Sequence, residues 1–518
     1  MKTIQSESQA TFCASERRGM ELHPTCSSPA LADGKIPFAS SYFRHEFSWK
    51  FSASSFSSRV QICLIGFYEI PALSHLAVLP VSYLRFEYSR LEFLGRLFPL
   101  FGHRVGAMKN LLAFSLRNRM LRCPSLRRRC SSVNHGICVS CSADIPQDSS
   151  SNVELSEARV LYCAAPAMGH NQESHPESNT RVPAILNALE KMELTSKHRG
   201  SDVIEIQNFR PASVDDIASV HTRNYVIGLE KAMSTASENG LVFIEGSGPT
   251  YATATTFEES LIAAGAGISL IDSVVAASKV SQNPPVGFAL IRPPGHHAIP
   301  KGPMGFCVFG NIAVAARYAQ RVHGLKRVLI IDFDVHHGNG TNDAFYEDPD
   351  ILFISTHQNG SYPGTGKFED IGQGNGKGMT LNIPLPGGSG DNAMRSVFDE
   401  VIAPSAQRFK PDIILVSAGY DAHVLDPLAS LQFTTATYYM LASNIKQLAR
   451  QLCGGRCVFF LEGGYNLQSL SYSVADTFRA LLGEPSKASD FDDPAILYDE
   501  PSKRVKDAIQ RAKQIHSL

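Results

Sequence analysis

An excess of charge of either sign is missing from these 518 residues: 48 Lys and Arg stand against 49 Asp and Glu, a formal net charge of −1. A nucleic-acid-binding domain would carry a strongly basic face, so no direct nucleic-acid partner is expected. Long apolar runs are missing too. A spanning helix needs about 20 apolar residues in succession; the best stretch, Val60 to Leu84, is interrupted by Glu69, Pro71 and His75, and no membrane partner is expected. Cysteine is sparse where a scaffold would need it. Seven of the 11 fall before residue 150, leaving Cys163, Cys307, Cys453 and Cys457 for the rest. That excludes a disulfide framework and points to a reducing compartment. Cys138-Val-Ser-Cys141 has the spacing of a ligand pair, but no second pair stands at zinc-ribbon distance. No internal repeat is present. What is plentiful is apolar content, 43% of residues, enough for a sizeable core.

The N-terminal third reads differently from the remainder. Residues 1–107 carry no sustained period of 2 or 3.6, and read as a disordered or over-extended N-terminal segment. From Met108 the chain is rich in Arg, Ser and Leu, and no acidic residue occurs between Glu92 and Asp144. Arg-rich, Ser-rich and acid-poor is the composition of an organelle transit peptide. Met108 is therefore expected to be the effective start, with 108–150 a candidate transit peptide and linker addressed to chloroplast or mitochondrion. If the segment is instead a basic linker, cytoplasm or nucleus returns.

Ordered sequence begins after the polar Gln147-Asp-Ser-Ser-Ser-Asn, and residues 155–518 read as one catalytic domain. Short apolar runs begin at Val160, Gly287, Val328, Ile351, Ile413 and Val458. They are continuous rather than alternating, as strands buried on both faces must be. Amphipathic stretches over 257–277, 311–322, 392–409 and 434–452 predict the helices between them. The alternation implies an α/β fold with a mostly parallel sheet and helices on both faces.

In such sheets ligands bind beyond the carboxyl ends of the strands, and here four strands end in chemistry. Val328-Leu-Ile-Ile leads into Asp332-Phe-Asp334-Val-His336-His337-Gly338; Ile413-Ile-Leu-Val into Ser417-Ala-Gly-Tyr-Asp421; Phe459-Phe-Leu into Glu462-Gly-Gly-Tyr465; Ala289-Leu-Ile into Arg292-Pro-Pro-Gly-His296-His297. Asp334 and His336 alternate with Val335, so in extended backbone they face one way. With Asp421 they would give three protein ligands and an open fourth position, the mark of a catalytic zinc. His296 and His297 follow a rigid Pro-Pro-Gly turn and suit general acid–base work beside a metal-bound water. Asp332 is better placed to orient a histidine than to bind metal. Tyr465 follows two glycines that permit close approach, and its hydroxyl could donate to a developing oxyanion.

Together with His175-Pro-Glu, Asp216-Ile-Ala-Ser-Val-His221-Thr and Gly305-Phe-Cys, these motifs resemble the zinc-dependent histone deacetylase family over roughly residues 155–485, and in particular a class II-like, plant organellar-type member. The resemblance implies the arginase-deacetylase fold, with an eight-stranded parallel sheet, and hydrolysis of N-acetyl-lysine to lysine and acetate. It implies zinc on Asp334, His336 and Asp421, with His297 as proton donor and acceptor. His296 would be held charged by Asp332, and Tyr465 would polarise the scissile carbonyl. The motif leaves the division of acid and base work between the two histidines open. Phe306 and Tyr362 would wall the acyl-lysine tunnel. A potassium ion would use Ser355 and backbone around Asp332, Asp334 and His336.

Departures from the pattern refine the expectation. Class I members carry Asp where this chain has Asn339, which should leave His297 neutral and basic. The weakly active branch of class II replaces the tyrosine that this chain keeps at Tyr465. The loop from Asp421 to Ala429 departs from the usual Gly-Asp-Pro-Leu-Gly ending. The polyamine-preferring branch places Glu where this chain has Leu428, so an acetylated protein is expected as substrate and an acetylated small amine is the alternative. Arginase chemistry lacks its His-x-Asp signature here. A silent acetyl-lysine-binding scaffold is the reading from another class, and retention of every ligand argues against it.

Overall fold

Each of the six apolar runs forms a strand in the computed structural model, which describes residues 155–244 and 246–518. The strands are β1 (Val160–Ala165), β2 (Val203–Glu205), β3 (Val242–Phe243), β4 (Tyr251–Ala252), β5 (Val286–Ile291), β6 (Val328–Asp332), β7 (Ile351–Gln358), β8 (Thr380–Leu385), β9 (Ile413–Ala418) and β10 (Cys457–Leu461). Eight of them make one parallel sheet in the order β2-β1-β5-β10-β9-β6-β7-β8; β3 and β4 form a separate antiparallel pair. The boundaries expected at 107 and 150, the candidate transit peptide and Cys138–Cys141 lie outside the described residues.

Alternate residues of each central strand enter opposite cores, which is why the runs are apolar throughout. On β6, Leu329 and Ile331 join one core while Val328 and Ile330 join the other. The helices divide between the faces. They are α1 (Arg181–Lys191), α2 (Arg223–Asn239), α3 (Thr256–Ser278), α4 (Asn311–His323), α5 (Asn339–Phe345), α6 (Asp391–Val397), α7 (Ala403–Phe409), α8 (Thr435–Cys453), α9 (Leu467–Leu482) and α10 (Ser502–His516). Buried residues of α2, α3 and α4 cover one face; those of α1 and of α6 to α10 cover the other. The helix expected over 392–409 is broken into α6 and α7 by a π-turn at Phe398–Ile402, just before Pro404, whose missing N–H an unbroken α-ladder would not tolerate.

By length and composition α3 could cross a membrane. Here it is a core helix: Ala263, Ala266, Ile271 and Val274 are fully buried against β1, β5 and α4. Gly267 lets it settle on the sheet, since a Cβ there would stand 2.3 Å from the Phe460 ring.

The register aligns the chemistry. Asp332 on β6 lies opposite Ser417 on β9 and Ser355 on β7, and Leu461 on β10 opposite Ala418. Thus β5, β10, β9 and β6, the strands that end in the four motifs, are consecutive neighbours whose ends open on one edge.

Candidate active site

The segment after β6 is held by its own carboxylates. Asp332 Oδ1 accepts from Asp334 N at 3.1 Å, Asp334 Oδ1 from His336 N at 2.9 Å, and Asp421 Oδ1 from Val335 N at 2.9 Å. β6 ends at Asp332 and the chain bends through 334–336. Asp334 and His336 therefore converge through these bonds, and the strand alternation invoked from sequence is not the cause. His336 Nδ1 lies 3.2 Å from Asp334 Oδ1 and 3.1 Å from Asp421 Oδ2, and one donor atom from each residue falls within 4.8 Å of the others. Burial, with Asp334 beside it, pushes Asp421 up to about 7. Burial disfavours charge on His336, but Asp334 and Asp421 outweigh it and raise its pKa to about 10. Two glycines make the room. A Cβ on Gly419 or on Gly463 would come within 2.1 Å of Asp334 Oδ2 or Asp421 Oδ2, respectively. Two carboxylates and an imidazole packed this closely, with no space for a side chain behind them, suit one divalent cation that replaces the proton.

The histidine pair stands beside this triangle in two different environments. His296 Nδ1 is 3.1 Å from Asp332 Oδ2, and its Nε2 is 3.7 Å from Asp334 Oδ2. Burial works against its charge, but Asp334 and Asp332 outweigh burial and raise its pKa well above the ordinary value. His297 is lowered well below by burial, then by the neighbouring charges on His296 and His336. Asn339 Nδ2 donates to Met304 Sδ, leaving its Oδ1 to accept from His297 Nδ1 at 2.7 Å. That bond fixes the proton on Nδ1 and leaves Nε2 as the basic atom.

Aromatic rings flank the pair. Tyr362 packs edge-on to His297, with ring centroids 5.1 Å apart, and lies 6.2 Å from His336. Phe306 packs edge-on to Tyr465 at 5.7 Å and to His175 at 4.6 Å. Gly305 permits this closeness, since a Cβ there would meet both His297 and Tyr362 within 3 Å. Leu428, 38% exposed, sits in the loop after Asp421. In that loop Leu425 faces solvent while Asp426 stays buried.

Several supporting groups had no role assigned from sequence. Glu462 Oε2 accepts from Gly295 N and His296 N at 2.7 and 3.1 Å, and its Oε1 accepts from the Ser417 hydroxyl, so β10 anchors the histidine turn. Glu462, His296 and Cys307 also cluster closely enough for a metal. Their contacts are already taken within the protein, His296 by Asp332 and Cys307 Sγ by His297 N at 3.4 Å. Glu177, in the His175-Pro-Glu motif, pairs with both Arg292 and Arg181 in full burial, and Arg292 outweighs the burial to hold its carboxyl down to about 2. Arg181 passes the brace on, donating to Gly464 O and Glu462 O and lying 5.1 Å over the Tyr465 ring. His423, two residues past Asp421, is held by Asp492 Oδ1 at 3.2 Å, while Asp492 Oδ2 accepts from Thr435 N. Such partners are tertiary, and only the quoted motifs around Glu177 and Glu462 hinted at them. Asp216 and His221 serve the fold: Asp216 closes a capping box with Ser213, and His221 bridges Ile299 O to Gly310 N. Ser355 is buried, with its hydroxyl 2.9 Å from His357 Nδ1.

Comparison with known proteins identifies the family. The histone deacetylase domain family matches residues 175–481. "Histone deacetylase 10, chloroplastic" of Oryza sativa subsp. japonica is 75% identical over 364 residues, 70% of this chain and 82% of that protein. "Histone deacetylase 14, chloroplastic" of Arabidopsis thaliana is 74% identical over 365 residues, 70% of this chain and 86% of that protein. Among solved structures, the HDA15 HD domain is similar with a TM-score of 0.59 at 32% identity, covering 69% of this chain and 95% of that one. With the eight-stranded parallel sheet and the strand-end residues in place, the chain belongs to the histone deacetylase family of hydrolytic deacetylases.

Proposed function

We propose that residues 155–518 form a zinc-dependent deacetylase that hydrolyses N-acetyl-lysine in proteins to lysine and acetate. The observation that carries this reading is the buried Asp334–His336–Asp421 triangle, with His296 held on Asp332 and His297 on Asn339 beside it. Asp334, His336 and Asp421 would hold the zinc, which supplies Lewis-acid polarisation and a more acidic water.

The chain's own groups do the rest. His297, basic at Nε2, takes the proton of the attacking water and returns it to the leaving amine. His296, kept cationic by Asp332 and Asp334, adds positive charge where the tetrahedral oxyanion grows. Burial, with Asp421 nearby, raises the Tyr465 hydroxyl well above its usual pKa, so it remains a proton-bearing donor for that oxyanion. Phe306 and Tyr362 bracket the acyl chain and exclude water.

Leu428 at the mouth offers no counter-charge to a polyamine, which favours a lysine side chain over an acetylated small amine. A potassium ion at Ser355 and the neighbouring backbone would stiffen the segment after β6. Both plant relatives are named chloroplastic, which supports the chloroplast as the site of action; nothing comparable supports the mitochondrion. The test is turnover of an acetyl-lysine peptide and of an acetylpolyamine, each with chelator and after zinc is returned. Activity that survives the chelator, or a preference for the polyamine, overturns the reading.

A further inference from the structure

Asp426 lies in the loop between the ligand Asp421 and the rim residue Leu428, and both of its oxygens are engaged. Oδ1 accepts from Leu428 N at 3.0 Å; Oδ2 accepts from Tyr465 N at 2.7 Å and from Asn466 N at 3.3 Å. The residue is only 6% exposed. Burial raises its pKa, and the three backbone N–H donors work against that rise by favouring the carboxylate, whose bonds are about twice as strong as those of a neutral acceptor. One carboxylate thus ties the backbone that presents Leu428 to the backbone that presents Tyr465.

The Tyr465 loop needs such a tie. It follows Gly463 and Gly464, and Gly464 has a φ of +119°, so the chain there has little preference of its own. Arg181 restrains it from one side through Gly464 O. Asp426 restrains it at the tyrosine itself.

We propose that Asp426 is a positioning residue for Tyr465, fixing its hydroxyl relative to the metal ligands and coupling that placement to the rim at Leu428. The inference rests on the assignment of Tyr465 as the oxyanion donor. Asp426 makes no hydrogen bond to a metal ligand's side chain, though its charge helps to raise the Asp421 carboxyl; it holds Tyr465 through the peptide groups of the other loop. An Asn side chain has nearly the same shape but would turn an NH₂ group toward one of the two sets of N–H donors. Substitution by Asn therefore separates a carboxylate that accepts on both sides from one that merely fills space.

The experiment is a double-mutant cycle of Asp426→Asn with Tyr465→Phe, reading kcat, KM and bound zinc. A misplacement of about 1 Å can cost about 100-fold, so Asp426→Asn alone should lower kcat by about 10- to 100-fold with KM little changed and zinc retained. In the Tyr465→Phe background the same change should cost less than about 2-fold, because the group it positions is gone. Equal losses in both backgrounds, or near-normal kcat for Asp426→Asn, overturn the inference while leaving the role of Tyr465 intact. Near-normal kcat for Tyr465→Phe alone overturns that role, and this inference with it. Should Asp426→Asn fail to fold, Asp426→Ser, which keeps a single acceptor, runs through the same cycle with the same expected collapse of the effect.

Discussion

A single methyl group on Gly463 should cost the protein its metal without unfolding it. A Cβ there would lie 2.1 Å from Asp421 Oδ2 and 2.6 Å from Asp334 Oδ2, where ordinary contact begins near 3.4 Å. The carboxylates have no easy way to yield, because Asp421 Oδ1 is bonded to Val335 N and Asp334 Oδ1 to His336 N, each at 2.9 Å. Nor is backbone strain the cause, since Gly463 is outside the left-handed region. Changing groups that only orient ligands typically costs 10- to 100-fold in metal affinity. Displacing two of three ligands should cost about 100-fold or more. The measurement is zinc per chain at buffered free zinc, with circular dichroism and thermal unfolding on the same samples. Gly228→Ala is the control: nothing lies within 4 Å of that Cβ and its φ is ordinary. It should keep metal and activity and gain up to about 1 kcal/mol from helix propensity. Wild-type zinc affinity in folded Gly463→Ala would refute the assignment of Asp334 and Asp421 as ligands.

Asn339→Asp should move the acid limb of kcat/KM to higher pH. A carboxylate 2.7 Å from His297 Nδ1 favours the imidazolium, so a base that must be neutral is lost earlier as pH falls; the expected displacement is about 1–3 pH units. An unmoved limb would mean that another group is the base. Tyr465→Phe should cut kcat by about 10²- to 10³-fold with zinc retained, and more than a third of wild-type kcat would exclude the oxyanion role. Leu428→Glu should raise the kcat/KM ratio of an acetylpolyamine over an acetyl-lysine peptide, by placing negative charge at the mouth. An unchanged ratio would take Leu428 off the substrate path.

Most of the sheet was legible because its central strands are buried on both faces, and such strands announce themselves as unbroken apolar runs. The edge strands β2 and β8 went unread because neither offers an unbroken apolar run, although β8 is buried along its whole length. β2 has three residues, and β8, Thr380-Leu-Asn-Ile-Pro-Leu, alternates and contains Pro384, which an edge strand tolerates. At the site, the residue types that bind metal or move protons could be picked out because strand ends gather them. Their geometric cause could not: Asp334 and His336 meet through a bend bonded by three carboxylates, which no spacing rule encodes. Asp426 and Arg181 act through backbone atoms of distant loops, and a contact to backbone leaves no trace in the identity of its partner.

The clamp of Asp492 on His423 carries a consequence for how the enzyme comes into being. Every residue of the catalytic chemistry lies at or before Tyr465, yet the loop carrying Asp421 is secured by a carboxylate 27 positions further on. During synthesis the ribosome therefore delivers a chain with all its reactive groups before it delivers the group that steadies one of them. A nascent or clipped polypeptide ending short of residue 492 would hold the full set of strand-end motifs but lack the carboxylate that stands 3.2 Å from His423 Nε2, two residues from Asp421.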